Sequence, residues 1–264
     1  MRHPTCEVTF LKKHRDLNHG YHSLTFGPYS RTGECRPGSF VHLRIPGNNV
    51  YFRRAMSVTS ANAKAKELEI IFKVLGRGTT VLAGSREGEQ FDILGPLGTT
   101  FATPRKTDTV MMIGGGVGFP PLMFLSQVLI RNGHDPKRIE FFYGGKTAGE
   151  RVERARIKRL GERFHPVTDD GSFGQKGLVT KPSEEFIKSN KDLSLRIYSC
   201  GPDPMLKAVN DLALAYGVPG QLSLEAPMPC GIGVCLGCVV PLTSGDYARV
   251  CCEGPVFNIG EVKL

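Results

Sequence analysis

A group of cysteines near the C-terminus constrains the fold of this chain more than any other feature. Cys230, Cys235 and Cys238 have the spacing C-x4-C-x2-C, and Cys251 and Cys252 follow a short way downstream. This is the plant-type spacing of cysteines that bind a [2Fe–2S] cluster. A zinc site usually has two C-x2-C pairs, and only one is present, so iron–sulfur is favoured over zinc or disulfides. Spacing alone leaves the fourth ligand open between Cys251 and Cys252.

Three glycines separate these cysteines and indicate a tight loop. Gly231, Gly233 and Gly237 lie between the first and third cysteine. Glycine tolerates positive φ and close backbone approach, so we expect all three to help the loop wrap around a cluster. Backbone N–H groups in such a loop can also point at the sulfurs.

The composition is that of an ordinary globular protein with 264 residues, enough for two domains and a small module. Five of its eight cysteines lie within 230–264, so this is not a disulfide scaffold. No signal peptide is evident, which favours a reducing, cytoplasmic setting. The apolar run Thr109–Ile130 is interrupted by three consecutive glycines and a pair of prolines, so it predicts a strand, a turn and a helix rather than a membrane span.

The chain carries a formal net charge of +9, but its basic residues are dispersed. No platform of basic and aromatic residues is visible, so nucleic acid is not an expected partner. Attraction to anionic nucleotides or to an acidic protein explains the charge equally well. The seven histidines are scattered and are expected to be surface or loop residues rather than ligands; they are His3, His14, His19, His22, His42, His134 and His165.

Short apolar segments broken by Gly, Pro and Asn predict a small antiparallel barrel over residues 1–102. The only helical signal in this part is a single turn or short helix over Thr79–Ala83. Arg53 and Arg54 stand near the hydroxyl of Ser57, and guanidinium groups suit phosphate contacts. A basic pair on a solvated edge strand is the alternative. The glycine-rich turn at 76–80 favours the phosphate site, since its backbone N–H groups can hold a diphosphate.

Residues 103–222 alternate between strand and helix patterns, which predicts a parallel sheet covered on both faces. The predicted strands are Thr109–Ile113, Ile139–Gly145 and Ser194–Cys200, and the predicted helices run from about Pro120 to Asn132 and over Val152–Arg163. The glycines at 114–118 lie between the first strand and the first helix, where nucleotide phosphates bind in many α/β proteins.

Two loops that follow predicted strands carry functional residues. Asp169–Gly174 and Cys200–Pro204 should lie at the carboxyl ends of parallel strands, where ligands collect. Simple turns are the alternative for each loop, and Cys200 could equally be a small buried residue. The acidic pair Asp169-Asp170 disfavours a ribose 2′-phosphate nearby, so NAD is expected rather than NADP.

Three of these motifs resemble the flavin-binding half of the ferredoxin–NADP reductase superfamily: Arg54-x-x-Ser57, Gly78-Thr79 and Gly95-Pro-Leu-Gly98. Many members carry a stacking Tyr where this chain has Met56, whose thioether can also pack on a flavin ring. The resemblance implies that FAD is bound by Arg54, Ala55, Met56, Ser57, Ile71, Phe72, Lys73, Gly78 and Thr79. It also implies that the pyrophosphate of NAD is approached by Gly115, Gly116, Val117 and Gly118, and that Cys200, Gly201 and Pro202 lie near the nicotinamide.

Residues 224–238 and 250–257 are similar to the electron-transfer subunit of NAD-dependent (class 1B) dihydroorotate dehydrogenase, and the resemblance covers essentially the whole chain. It implies a [2Fe–2S] module over 223–264 with the ligands Cys230, Cys235, Cys238 and Cys251. Cys251 is selected because the family's last ligand follows a Val and precedes one variable residue, an acid and Gly-Pro-Val-Phe.

The implied partner is an FMN-containing catalytic subunit that oxidises dihydroorotate in pyrimidine biosynthesis, in a heterotetramer with two of each chain. Electrons would pass to NAD⁺ through this chain, because a flavin can convert between a two-electron hydride and the single electrons of a cluster. One alternative is a diaphorase-like subunit of a hydrogenase, sulfur reductase or ferredoxin reductase complex. The other is a zinc-stabilised redox-sensing or interaction module.

Overall fold

A closed six-stranded antiparallel barrel forms the first part of the chain in the computed structural model, which describes residues 4–47, 50–150, 156, 161 and 163–264. Its strands pair in the order β1-β2-β5-β4-β3-β6. Their bounds are β1 Cys6–Asp16, β2 Tyr21–Gly27, β3 Phe40–Leu43, β4 Arg54–Asn62, β5 Glu67–Lys73 and β6 Gln90–Leu97. The predicted barrel is therefore confirmed. A helix, α1 (Arg77–Ala83), begins two residues before the predicted turn.

Alternation along β3 gives this strand two different faces. Val41 and Leu43 pack inside the barrel, in one core with residues of the other strands. Phe40 instead packs outside, in a core shared with the second and third parts of the molecule. His42 lies on the same outer face, with its ring centroid 5.7 Å from that of Phe40.

A seven-stranded sheet forms the second part, in the order β10-β9-β8-β7-β11-β12-β15. All neighbouring pairs are parallel except β12 and β15. The strands are β7 Thr109–Gly115, β8 Ile139–Gly145, β9 Arg163–Thr168, β10 Gln175–Lys176, β11 Leu195–Cys200, β12 Gly220–Ser223 and β15 Val256–Asn258. The described helices are α2 Phe119–Arg131, α3 Thr180–Ser189 and α4 Asp203–Tyr216.

This arrangement confirms the predicted parallel sheet with helices on both faces. α2 packs in the core on one face, and α3 and α4 pack in the core on the other. The helix predicted over 152–163 falls on residues that, apart from Arg156, Gly161 and Arg163, lie outside the described ones. None of the described helices is long and apolar enough to cross a membrane.

The C-terminal residues form a small unit that is joined to the sheet rather than separate from it. It contains the hairpin β13 (Val239–Pro241) and β14 (Tyr247–Arg249), after which β15 pairs antiparallel with β12. Cys238 and Cys251 are buried in the same core as Phe40 of the barrel. The C-terminal unit is therefore held against the barrel and the sheet at once.

The order in which strands are added to the sheet reverses at β7, and this places the loops after β7 and β11 side by side. The chain adds β8, β9 and β10 on one side of β7, then returns to add β11 and β12 on the other. Ligands bind outside the carboxyl ends of strands at such a switch point. A Cβ on Gly118, after β7, would lie 2.0 Å from the carbonyl oxygen of Cys200, at the end of β11. Only glycine fits there, so the two loops are in contact.

Candidate functional site

One cleft lies where the barrel meets the sheet and the C-terminal unit. Among the residues predicted to bind FAD, it is lined by Arg54, Ala55, Met56, Ser57, Ile71, Phe72, Lys73 and Thr79. Gly78 lies directly behind this wall, because a Cβ there would be 2.8 Å from Nε of Arg54. The structure thus brings residues from the three successive elements β4, β5 and α1 onto one wall of the cleft.

The two neighbouring arginines of β4 have different surroundings. Arg53 turns away from the cleft and forms an ion pair with Asp92, with Nη2 and Oδ2 2.7 Å apart. The Arg54 guanidinium lines the cleft and donates to the main-chain oxygen of Phe52. No carboxylate forms an ion pair with Arg54 in the described part of the chain. Arg54 is therefore the arginine whose charge is available to an anionic group in the cleft.

The hydroxyl of Thr79 shapes the turn before α1. It accepts hydrogen bonds from the N–H groups of Leu75 and Gly76, at 2.9 and 3.1 Å. These bonds close the turn tightly against Arg54. Its geometry suits a diphosphate, since a guanidinium and a glycine-rich turn face the same space.

The far wall of this cleft comes from residues that sequence reasoning missed. They are Phe40 from β3, then Ser223, Leu224, Glu225, Ala226 and Met228 from the segment before the cysteine loop, and Pro255 after it. Sequence position was the one available clue to the segment before the cysteine loop, because that segment connects β12 directly to Cys230. The position of Phe40 follows only from the outward face of β3. The cleft therefore ends beside the cysteine loop.

A second cleft opens at the switch point of the sheet. Of the residues predicted to bind NAD, Gly115, Gly116, Val117 and Pro202 line it. Gly118 and Gly201 do not, because both pack beneath the surface where the two loops touch. Cys200 lines the first cleft instead of the second, and burial raises the pKa of its thiol well above the usual range.

The two clefts meet at Lys73, Leu75 and Val117, which line both. Lys73 on the barrel pairs with Glu150 on the sheet, with Nζ and Oε1 2.5 Å apart. The hydrogen bond to Glu150 raises the pKa of Lys73. Burial would raise the pKa of Glu150, but hydrogen bonds from Lys73 and from the N–H of Lys146, together with the charges of both lysines, outweigh it and lower that pKa. Both groups are therefore charged at neutral pH, and their ion pair ties the barrel to the sheet at the junction.

The polar side of the second cleft contains Asp169 and Lys146. Asp169 follows β9, as its sequence position predicts, and its neighbour Asp170 accepts hydrogen bonds from Ser172. An aspartate in a nucleotide cleft can accept from a ribose hydroxyl and repels a phosphate.

The sulfur atoms of the cysteine loop form two groups. Burial alone would raise the pKa of the Cys230 thiol, but backbone N–H groups of the loop and the Cys235 side chain outweigh it and lower the pKa to about 6. Cys235 Sγ also accepts from the N–H of Gly237 at 3.4 Å. In the second group, the N–H of Cys251 donates to Cys238 Sγ at 3.5 Å. Two pairs of thiols with N–H donors suit a cluster of two irons better than one ion.

No three His, Cys, Asp or Glu side chains of the described residues converge on a point that one metal ion could occupy. Two adjacent residues, Cys251 and Cys252, are the candidates for the fourth cluster ligand. Cys251 is buried and Cys252 is half-buried, with their sulfurs 3.7 Å apart. Cys251 contacts Cys238, whereas Cys252 Sγ would lie 2.6 Å from a Cβ on Gly233.

Two of the three loop glycines have positive φ, at +70° for Gly231 and +81° for Gly233. Gly237 does not have a positive φ, but its backbone is closely approached, since a Cβ there would lie 3.1 Å from Cδ of Pro229. The left-handed residue there is Leu236, at φ +58°. This conformation turns the Leu236 side chain outward, where it is 62% exposed. Together with Ile232 and Val234 it makes the tip of the loop apolar and exposed; we call these three residues the apolar tip.

The expectation that the histidines are surface or loop residues is wrong for His42, which lies within β3, whereas His134 is buried but lies in the loop after α2. His42 is 0% exposed and His134 is 4% exposed. The burial of His42 could not be predicted from local sequence, because it results from tertiary packing. His42 lies on the outer face of β3, and the C-terminal unit covers that face. His3 lies outside the described residues.

Family models match two parts of the chain. "Iron-sulfur cluster binding domain of dihydroorotate dehydrogenase B" matches residues 225–263, and "Oxidoreductase NAD-binding domain" matches residues 112–211.

Three relatives are named "Dihydroorotate dehydrogenase B (NAD(+)), electron transfer subunit". The protein from Shouchella clausii is 35% identical over 100% of both chains. The one from a Geobacillus species is 38% identical over 98% of both chains, and the one from Lysinibacillus sphaericus is 39% identical over 88% of both.

Solved structures share the fold. A chain of an NADH-dependent reduced ferredoxin-NADP oxidoreductase is 26% identical and superposes with a TM-score of 0.85, covering 97% of this chain and 90% of that one. The cytochrome b5 reductase domain of Ulva prolifera nitrate reductase, at 19% identity, has a TM-score of 0.67 over 81% of this chain and 94% of that one.

Proposed function

Because this chain belongs to the family of electron transfer subunits of dihydroorotate dehydrogenase B (NAD(+)), we propose that it carries electrons from a dihydroorotate-oxidising partner subunit to NAD⁺. One observation carries the proposal. The first cleft meets the second, nucleotide cleft at Val117 and extends from there to Met228, next to the cysteine loop. The higher identity to these subunits favours this function over a diaphorase-like one, and the matched cluster-binding domain favours it over a zinc module.

The residues of the first cleft fit FAD, and those of the cysteine loop fit a [2Fe–2S] cluster. When bound, FAD exchanges hydride with NAD(H), and the cluster exchanges single electrons with the partner. Arg54 would hold the flavin diphosphate, and Met56 would pack against the ring system. Cys230, Cys235, Cys238 and Cys251 would ligate iron, while loop N–H groups hold the sulfurs in place.

The second cleft fits the nicotinamide nucleotide. Gly115 and Gly116 let a pyrophosphate approach the backbone after β7, and Val117 borders both clefts, so the nicotinamide would reach the flavin past it. Asp169 in this cleft supports NAD over NADP. We propose that the chain is divided into a flavin unit over 1–102, a nucleotide unit over 103–222 and a cluster unit over 223–264.

The apolar tip supports a partner subunit that docks at the cluster. Val234 is 74% exposed and Ile232 is 40% exposed, next to the cysteines. Exposed apolar side chains grouped in this way mark a protein interface. A partner here would exclude water from the electron path and bring its FMN close to the cluster. A heterotetramer with two of each chain follows the family pattern. The eight cysteines are all free thiols, which supports a reducing, cytoplasmic setting.

The test is reconstitution with the candidate FMN subunit. We expect the complex, but neither chain alone, to reduce NAD⁺ when given dihydroorotate. A Val234→Asp variant should weaken assembly at least tenfold, because it buries a charge in the interface. Leu193→Asp, an exposed leucine before β11, is the matched control and should assemble normally. Full assembly without dihydroorotate-dependent turnover would contradict the proposed substrate.

The fourth ligand can be tested with the adjacent pair. Cys251→Ser should lose the cluster, because the buried Cys251 contacts Cys238, whereas Cys252→Ser should keep it. Iron and sulfide content, together with the visible spectrum, report the outcome. Cluster loss in Cys252→Ser alone would assign the ligand to Cys252 instead.

A further inference from the structure

His42 is a fully buried polar side chain without a hydrogen bond. Its ring is 0% exposed, and neither Nδ1 nor Nε2 has a partner among the described residues. Buried polar atoms nearly always have a hydrogen-bond partner. A buried imidazole without one, between the barrel and the C-terminal unit, therefore needs an explanation. A partner that belongs to a bound group would supply one.

The position of His42 indicates which group. On one side, β3 pairs with β4 so that His42 lies opposite Ala55 of the flavin cleft. On the other side the ring meets the cysteine loop: a Cβ on Gly231 would lie 2.7 Å from Cε1, 2.8 Å from Nδ1 and 2.9 Å from Nε2. Gly231 directly follows Cys230. The ring therefore lies beneath the loop, and it does not line the flavin cleft.

The imidazole of His42 carries at least one N–H donor in either ionisation state. Burial first, and the positive charge of Arg53 second, lower the pKa of His42 to about 4. A neutral ring keeps one N–H donor and one acceptor nitrogen. The donor has no protein acceptor within the described chain, and the thiolates and sulfides of an iron–sulfur cluster are acceptors.

We propose that His42 is a positioning residue that donates a hydrogen bond into the [2Fe–2S] site and raises the cluster's reduction potential. This rests on the proposed function, since it requires the cluster. Hydrogen bonds to cluster sulfurs stabilise the more negative, reduced state and so tune the potential. Gly231 is needed for the same reason, because any side chain there would push the loop away from the ring.

The first measurement uses the unmodified full-length chain with ¹⁵N-labelled histidine. None of the proposed ligands is histidine, so a ¹⁵N coupling in pulsed EPR of the reduced cluster must come from a histidine held against it. We expect such a coupling. A cluster that shows none would overturn the role of His42, while a chain that binds no cluster would overturn the proposed function as well.

The second measurement is a redox titration of the cluster in variants. Without the donor, His42→Phe should make one-electron reduction about tenfold less favourable, a shift of about −59 mV for a one-electron couple. His42→Gln keeps an N–H donor and should retain most of the wild-type potential. His134→Phe is the matched control, since His134 is also buried with an unpaired Nε2 but lies near Asp108 at the start of β7.

Three results would overturn the proposal. His42→Phe could keep the wild-type cluster potential, or His42→Gln could shift it as much as His42→Phe does. The flavin potential could also move in place of the cluster potential, which would assign the donor to the flavin. If His42→Phe fails to fold, the ¹⁵N coupling and the His42→Gln titration still decide the question.

Discussion

Replacing Cys235 with serine is expected to abolish cluster binding and partner-coupled turnover while leaving part of the NADH oxidation by an artificial acceptor. Cys235 belongs to the first sulfur pair but lines neither cleft, so the flavin and nucleotide sites should persist. Coupled turnover should fall by more than the roughly 100-fold that follows loss of a residue that merely supports a ligand. Iron content and the two activities, measured on the same preparation, give the result.

Cys6→Ser is the matched control for this experiment. Cys6 is also exposed, but it lies on β1 of the barrel, beside Arg53 and not beside the cysteine loop. It should keep the cluster and both activities. Equal loss of both activities in Cys235→Ser would mean that the cysteines stabilise the whole fold rather than serve one electron path.

Replacing Arg54 with glutamine is expected to weaken FAD binding about 30- to 100-fold. Arg54 is the arginine of β4 that lines the first cleft without a carboxylate partner, and it packs on Gly78 of the turn. A charge-assisted hydrogen bond contributes about 2–3 kcal/mol, and each 1.4 kcal/mol is about tenfold in affinity. The dissociation constant of FAD, measured by flavin fluorescence, tests this.

Arg53→Gln separates this effect from a general loss of positive charge. Arg53 is the sequence neighbour of Arg54 but is engaged by Asp92, so its removal should leave FAD affinity within about twofold and cost at most about 1 kcal/mol of stability. If Arg54→Gln binds FAD as tightly as Arg53→Gln does, Arg54 is not the diphosphate ligand.

Local patterns predicted the architecture well. Short apolar segments broken by turn residues indicated the barrel, and alternating strand and helix patterns after Thr109 indicated the parallel sheet. α2 begins and ends one residue before its predicted bounds. Such signals are local because backbone periodicity and turn chemistry act over a few residues. The likeness of the C-terminal motif to a known family also predicted the family to which the chain belongs, which is now confirmed.

Several details of the site were not determined by local sequence patterns. The chemistry of the sequence did not by itself separate Arg53 from Arg54, and only the family resemblance singled out Arg54; in the structure Asp92, on a different strand, engages Arg53. The sequence left open whether Cys200 is simply a small buried residue, and the end of β11 places it in the lining of the first cleft. The glycines indicated a tight loop, but the left-handed conformation falls on Leu236 rather than on Gly237. For the two arginines, a partner distant in the chain decides the outcome.

The cysteine spacing by itself determined that one tight loop presents several thiols, because that spacing and its glycines are encoded within nine residues. Only the tertiary structure decided what the loop rests on. Pairing of β15 with β12 holds the C-terminal unit over the outer face of β3, and this buries His42 beneath Gly231. A strand shows in sequence which residues alternate, but the neighbour that covers its outer face depends on the packing of three units.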